Sequence, residues 1–321
     1  MSIKKLFLLL KASIKKHFSY KIIDVLKLFV PLRIVKKIKS DNKNFKIRSK
    51  KKIEYDDLVI TLKSLGVSEG MKIMVHSSLS GIGYVEGGAE TVIKALIDII
   101  GFDGLILMPA PPITATNIDK TNIVETFDVL NTKCTTGIIC ETFRKTHGVY
   151  RSLHPTHSVL AYGRQAEWVT SGHHLDKTPF GPNSPFARLL KLNGSILGLG
   201  LDVRWITFYH HFEDICDFFP INVYTKKLYK LPVLNYDRNI QVIETPLHDP
   251  NISIFRLNND TETLKKIHLA LDKYSDIIYN SSLNNGSFLV STSSIISTLD
   301  FILKNYSQTI YNKELIKLLN N

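Results

Sequence analysis

Between residues 71 and 108 the chain reads strand, small-residue loop, helix, strand, and no other stretch restricts the fold as much. Residues 71–75 are a short apolar strand. A loop of small residues follows, His76-Ser77-Ser78-Leu79-Ser80-Gly81-Ile82-Gly83, and then Tyr84-Val85-Glu86-Gly87-Gly88. Residues 89–100 carry a helical apolar period with Gly101 past its end. Residues 104–108 form a second apolar strand, stopped by Pro109, Pro111 and Pro112. This order predicts an α/β fold with a central, mostly parallel or mixed sheet flanked by helices. In such folds sites gather at the carboxyl ends of strands, which draws attention to Ser77, Ser78, Pro109 and Asp202.

The flanking segments extend the pattern. Helices are expected over 55–65, 136–145 and 165–171, and strands over 159–162 and 195–198. Residues 110–135 are polar and irregular, as a loop over a site would be. Ser184-Pro185 is a helix start, with Ser at the cap and Pro in the first turn, for 186–192. Beyond Pro220 the pattern weakens. Residues 228–244 read as one or two strands around the turn signal Asn235-Tyr236-Asp237. Helices are expected over 263–279 and 294–304, and the tail from 306 to 321 is polar.

Charge is distributed unevenly. The net charge is +12, yet residues 1–52 hold 17 Lys/Arg against two acids, while residues 53–321 hold 24 basic against 27 acidic residues. Basicity therefore belongs to the leader, and the body has no electrostatic footprint for nucleic acid. Residues 1–52 are expected to be a basic amphipathic extension and linker, 53–305 the folded α/β domain. Within the leader, residues 1–39 show helical spacing of Ile3, Leu6, Phe7, Leu10 and Ile14 with lysines between them. Such a helix suits a peripheral contact with an anionic membrane face or packing on the body or a second subunit, as in a homodimer. Its apolar runs are too short to span a bilayer. Three cysteines, Cys134, Cys140 and Cys216, make no disulfide framework and point to a reducing, cytoplasmic setting.

The chemistry-bearing stretch is Thr207-Phe208-Tyr209-His210-His211-Phe212-Glu213-Asp214-Ile215, in a run with no Gly or Pro from 202 to 219. On a helix His210 and Glu213 share a face, and a carboxylate beside an imidazole fixes its tautomer and raises its basicity. His211 falls on another face, so a metal site built on His210, His211 and Asp214 is not expected. The aromatic surroundings, with Tyr209, Asp214 and Asp217, suit an organic cationic guest. The His76–Gly88 loop offers backbone N–H groups to a phosphate or thioester but lacks a nucleotide P-loop lysine. Arg151, Ser152, His154 and Ser184 add donors. His154 and His157 have no matching carboxylate or cysteine, so no metal is expected there. No Gly-x-Ser-x-Gly elbow is present.

Four ordered segments, MVHSSLSGIGYVEGGAETVIKALIDIIGFDGLILMP, RSLHPTHSVLAYG, TPFGPNSPFARLLKLNGSILGLGLD and TFYHHFED, closely resemble aminoglycoside 3-N-acetyltransferases. The resemblance covers roughly residues 59–214. It implies an α/β enzyme that uses acetyl-CoA to acetylate an amine of an amino sugar, either an aminoglycoside or a surface-polysaccharide precursor. It further implies His210 as the base with Glu213, and a coenzyme site formed by His76, Ser77, Ser78 and Leu79 with Gly87, Gly88, Arg151, Ser152 and Ser184. The residue after Met108-Pro109 is Ala110, where many members carry a hydroxyl. The alternative is a catalytically silent binding protein on the same fold, tethered by its basic leader.

Overall fold

The computed structural model describes residues 52–115, 125–253, 256, 261–307 and 309–311. The basic leader, apart from Lys52, lies outside the described residues, as do 116–124 of the irregular loop and 312–321 of the tail. No helix among the described residues is long and apolar enough to cross a membrane.

The chain begins with β1 (Lys52–Ile53), α1 (Tyr55–Ser64), β2 (Lys72–Ser77), α2 (Leu79–Ile82), β3 (Tyr84–Val85), α3 (Ala89–Ile100) and β4 (Leu105–Pro109). It continues through β5 (Phe127–Asp128), α4 (Ile138–Arg144), β6 (Tyr150–Arg151), β7 (Val159–Gly163), α5 (Ala166–Thr170), α6 (Pro185–Lys191) and β8 (Ser195–Leu199). The remainder is α7 (Tyr209–Ile215), β9 (Tyr224–Leu234), β10 (Ile240–His248), α8 (Pro250–Ser253), α9 (Thr261–Tyr274), β11 (Ile278–Asn280), β12 (Ser287–Ser291) and α10 (Thr292–Tyr306).

Seven strands form the main sheet in the order β11-β12-β8-β2-β4-β7-β6. Only the three central strands, β8, β2 and β4, run parallel. Every pairing outside them is antiparallel. The sheet is therefore mixed, with parallel pairing where the sequence shows two apolar strands joined by a helix. These central strands are apolar on both faces because both are covered. Ile73, Val75, Ile106, Met108, Leu197 and Leu199 pack toward α1, α3 and α4. Met74, Leu105, Leu107 and Ile196 pack oppositely, toward α5, α6, α7 and α10. Burying one such side chain contributes about 1.5–3 kcal/mol, so this double-sided packing fixes the frame on which the loops are carried.

At the carboxyl ends of the central strands two loops press together. The Ser78 amide donates to the Leu199 carbonyl at 3.0 Å. A Cβ added at Gly81 would lie 1.8 Å from the Gly200 carbonyl oxygen, so both positions require glycine.

Two departures from the sequence expectations follow from local chemistry. The helix expected over 263–279 stops at Tyr274, and β11 begins at Ile278. Ser275 Oγ donates to the Leu271 carbonyl at 2.6 Å, and Asp276 Oδ1 accepts the Ser291 amide at 3.0 Å, which ends the helix and aligns the strand beside β12. The expected polar tail is also not all tail. Thr309, Ile310 and Tyr311 are buried, and Tyr311 pairs in a β-bridge with Arg256.

Candidate active site

Apolar packing of α7 supplies the first half of the site. Phe208, Tyr209 and Phe212 enter the core, which turns the intervening His210 and the following Glu213 to the same partly open edge. His210 Nδ1 and Glu213 Oε2 meet at 2.8 Å, with the Glu213 side chain 1% exposed and that of His210 14%. A carboxylate only accepts, so Nδ1 donates and Nε2 keeps its lone pair. Burial pushes the His210 pKa well down, and the Arg256 charge adds to this. Glu213 acts in the opposite direction by stabilising the imidazolium. The imidazole therefore rests neutral, as a proton acceptor must.

The second half arrives from the long β9–β10 hairpin and the chain beyond it. His248, at the end of β10, brings its Nε2 to 3.8 Å from Glu213 Oε2. Its ring lies 4.7 Å from that of His210 and stacks on Tyr224 at 5.0 Å. The Tyr311 hydroxyl lies near Glu213 and Arg256 but completes no hydrogen bond, and Glu213 Oε1 is likewise buried without a partner. Donor atoms of His210, Glu213 and His248 fall within 4.8 Å of one another, a set compatible in type with a metal. His210 Nδ1 and Glu213 Oε2 are already spent on each other, and the Arg256 cation faces the same cluster, so the arrangement suits proton handling.

Of two cavities near the pair, one is lined by α7 and the other reaches only Thr207 ahead of it; His210 itself lines neither. The larger, about 870 Å³, opens at the carboxyl ends of the three parallel strands and is lined by His76, Ser77, Ser78, Pro109, Asp202 and Thr207, among others. Its position is the one that parallel-strand topology predicts. Burial lowers the His76 pKa to about 4, and His76 Nε2 is buried without a partner. The smaller, about 600 Å³, is lined by Thr178, His211, Glu213, Asp214, Asn222 and Tyr224, among others. Asp214 accepts from Tyr224 at 2.7 Å and from the Thr178 hydroxyl. Burial pushes its carboxyl up to about 6.

Several residues expected at the site are placed otherwise. Arg151 is buried, and its guanidinium donates to Ser158 Oγ at 3.0 Å, to the Ala110 carbonyl at 2.9 Å and to the Thr132 carbonyl. Ser152 is fully buried between the Val159 amide and His173, 2.8 Å from each. Ser184 caps α6 by accepting the Ala187 amide at 3.2 Å. These three serve the framework, because their polar atoms are used inside the protein. Gly87 and Gly88 adopt positive φ at the start of α3 and line neither cavity. Leu79 begins α2 and packs against the core. Tyr209 is 3% exposed with its hydroxyl inside the protein, so it presents no face to a guest. Asp217 is exposed and lines neither cavity. His211 is turned away from His210, as its helix position predicts, and donates to the Phe180 carbonyl at 2.8 Å. His248, Arg256 and Tyr311 escaped the sequence reading. Pro246 just before His248 was the one local signal, since proline marks irregularity in a strand.

Against known proteins, residues 74–296 match the family described as aminoglycoside 3-N-acetyltransferase. The chain is 37% identical over 146 residues to an SPbeta prophage-derived aminoglycoside N(3')-acetyltransferase-like protein of Bacillus subtilis, covering 40% of this chain and 53% of that protein. It is 34% identical over 153 residues to aminoglycoside N(3)-acetyltransferase VII of Streptomyces paromomycinus, covering 42% of this chain and 51% of that one. The chain thus spans about half the length of the curated relatives it matches. A solved structure described as AAC-IIIb in binary complex with CoASH superposes with a TM-score of 0.66 at 26% identity, covering 79% of this chain and 97% of that one.

Proposed function

Because this chain belongs to the aminoglycoside 3-N-acetyltransferase family, we propose that it transfers acetyl from acetyl-CoA to an amino group of an amino sugar, with His210 as general base and Glu213 as its partner. The observation that carries this reading is the 2.8 Å contact of His210 Nδ1 with Glu213 Oε2, which leaves Nε2 free to take a proton. Relatives named for N(3)-acetyl transfer and a solved relative holding CoASH support the same chemistry.

A sugar amine is mostly ammonium near neutral pH and becomes a nucleophile only on losing a proton. That first proton goes to water; as the free amine adds to the thioester, His210 Nε2 takes a second proton from the nitrogen, and Glu213 steadies the imidazolium that forms. The amine nitrogen attacks the thioester carbonyl carbon, the N–C bond forms and the C–S bond breaks. The coenzyme thiolate leaves with the proton that His210 returns. Acetyl-CoA suits the larger cavity, where the unpartnered His76 Nε2 offers a polar contact to a thioester or amide group. Asp214, in the smaller cavity, is the carboxyl that would face a further ammonium group of the acceptor.

The acceptor is an aminoglycoside or an amino sugar of a surface-polysaccharide precursor. An acetyl-CoA consumption assay across aminoglycosides and nucleotide- or lipid-linked amino sugars tests this. Turnover with one of these amines, lost in His210→Ala, is expected. Wild-type turnover in the variant would remove His210 as the base, and turnover with no amine would remove the reaction.

A further inference from the structure

The hairpin that delivers His248 is not regular at its end. The β9–β10 register shifts between Pro246 and His248, so that His248 pairs with Tyr224 after the irregularity. Proline has no amide hydrogen to give the ladder, and a bulge beside a site re-aims a side chain. Here the extra residues lie on β9, four steps from Leu228 to Tyr224 against two from Pro246 to His248. The shift sets the His248 imidazole against Tyr224, on which it stacks, beside the buried carboxylate of Glu213.

We propose that His248 is a positioning residue for the transfer reaction: its Nε2–H, 3.8 Å from Glu213 Oε2, holds the carboxylate in the orientation that receives His210 Nδ1–H and shares its charge. This rests on the acetyl-transfer reading for its kinetic consequence, although not for its geometry. Three observations carry it. Glu213 stands between two imidazoles, at 2.8 Å and 3.8 Å from the same oxygen. The His248 side chain is 10% exposed and no acceptor lies within hydrogen-bond distance of its Nε2, so the charge this buried polar atom faces is that of Glu213 Oε2 at 3.8 Å. Its ring is fixed on both sides, stacked on Tyr224 at 5.0 Å and edge-on to His157 at 5.3 Å.

The charged and titratable groups around this pair are His210 and Glu213 from α7, His157 ahead of β7, Tyr224 from β9, and Arg256 and Tyr311 from the chain beyond the hairpin. Burial leaves both His157 and His248 neutral at physiological pH. His248 therefore works as a neutral donor. Removing it leaves the Glu213 charge less compensated, and a less compensated carboxylate holds a proton on His210 more tightly.

The test compares wild type, His248→Leu and His248→Gln in the full chain labelled with ¹⁵N-histidine. Glutamine places an amide N–H close to where Nε2 stood, whereas leucine keeps bulk without a donor. For Leu, the His210 titration midpoint should rise by about one unit. The acid limb of kcat/KM should rise with it, and kcat should fall about tenfold with KM for acetyl-CoA unchanged. Gln should restore the midpoint, the limb and most of kcat. A Leu variant with wild-type midpoint and limb overturns the proposal, as does a Gln variant no better than Leu. Should Leu not fold, His248→Asn, whose amide is too short to reach Glu213, takes its place with the same expectations. If wild type acetylates no amine offered, the transfer reading fails, while the His210 midpoint still decides what His248 does.

Discussion

Two groups of buried histidines stand close together here and differ in how their polar atoms are used. In the first, His173 Nε2 donates to the Pro179 carbonyl at 2.7 Å, and its Nδ1 accepts from Ser152 at 2.8 Å. His154 Nδ1 accepts from the amides of Thr156 and His157, both at 3.4 Å, which leaves the hydrogen on Nε2 to face Thr245 Oγ1. Every ring nitrogen in that pair has a partner within the protein. In the second group, Glu213 Oε1 is buried without one, and His248 Nε2 faces Glu213 Oε2 only at 3.8 Å, beyond hydrogen-bond distance. Both groups are depressed in pKa chiefly by burial, so titration alone does not separate them. The separation lies in unspent hydrogen-bonding capacity. A buried polar atom left unpaired costs about 1–3 kcal/mol, and beside the His210–Glu213 pair that capacity is open to a reacting partner.

The contrast breaks first at His210. His210→Ala should lower kcat by on the order of 10²–10⁴-fold while stabilisation by acetyl-CoA in a thermal-shift titration persists. A smaller loss, on the order of 10²-fold, is expected for Glu213→Gln, because an amide cannot compensate an imidazolium. The pH dependence sharpens this. Without the carboxylate, burial and Arg256 act on His210 unopposed, so the acid limb of kcat/KM should move to lower pH. An unmoved limb would mean that Glu213 only fills space.

On the spent side of the contrast the expected effect is on stability. Arg151 sits 4.7 Å over the Phe127 ring with its donors tied to Ala110, Ser158 and Thr132. Arg151→Ala should cost about 3 kcal/mol in chemical denaturation, through orphaned carbonyls and lost packing, with KM for acetyl-CoA within a few-fold of wild type. A KM raised tenfold at unchanged stability would instead return Arg151 to the coenzyme site.

The central frame was legible because its signals are local. The bounds 89–100 for α3 follow from apolar period and Gly101, and the Ser184 cap follows from residue type at a helix start. The His210–Glu213 pair needed only helical spacing. What failed was anything decided by distant chain. Arg151, Ser152 and Ser184 look like ligand donors in sequence, since residue type does not tell whether a donor is consumed by a carbonyl elsewhere in the fold. His248, Arg256 and Tyr311 reach Glu213 through a bulge, a β-bridge and a buried return of the chain, none of which has a period. β12 was missed for a related reason. Its apolar run Phe288-Leu289-Val290 is short and flanked by serines, and its strand identity comes from pairing with β8.

Asp214 offers the smallest effect and the finest distinction, because it lies between the two groups in kind. Each of its oxygens accepts one hydrogen bond, as in the spent set, yet it lines the smaller cavity beside Glu213. Burial holds its carboxyl at about 6 in the folded protein, against about 3.9 in an unfolded chain. Between roughly pH 4 and 6 the native state therefore binds more protons than the unfolded state, and this residue's contribution to stability falls as pH rises through that window. Asp214→Asn keeps an acceptor for Tyr224 and removes the buried charge. Its stability relative to wild type should be flat below about pH 4, grow through the window and level off above 6 at about 1 kcal/mol, once solvent screening of a part-exposed group is allowed for. Urea titrations at pH 4 and 7 read this directly, and equal differences at both would show that Asp214 is not held protonated. If Asp214 faces an acceptor ammonium, the same variant should raise KM for the amine about tenfold while leaving KM for acetyl-CoA alone. Gained stability with lost acceptor affinity would put Asp214 with Glu213, and gained stability alone would put it with Arg151.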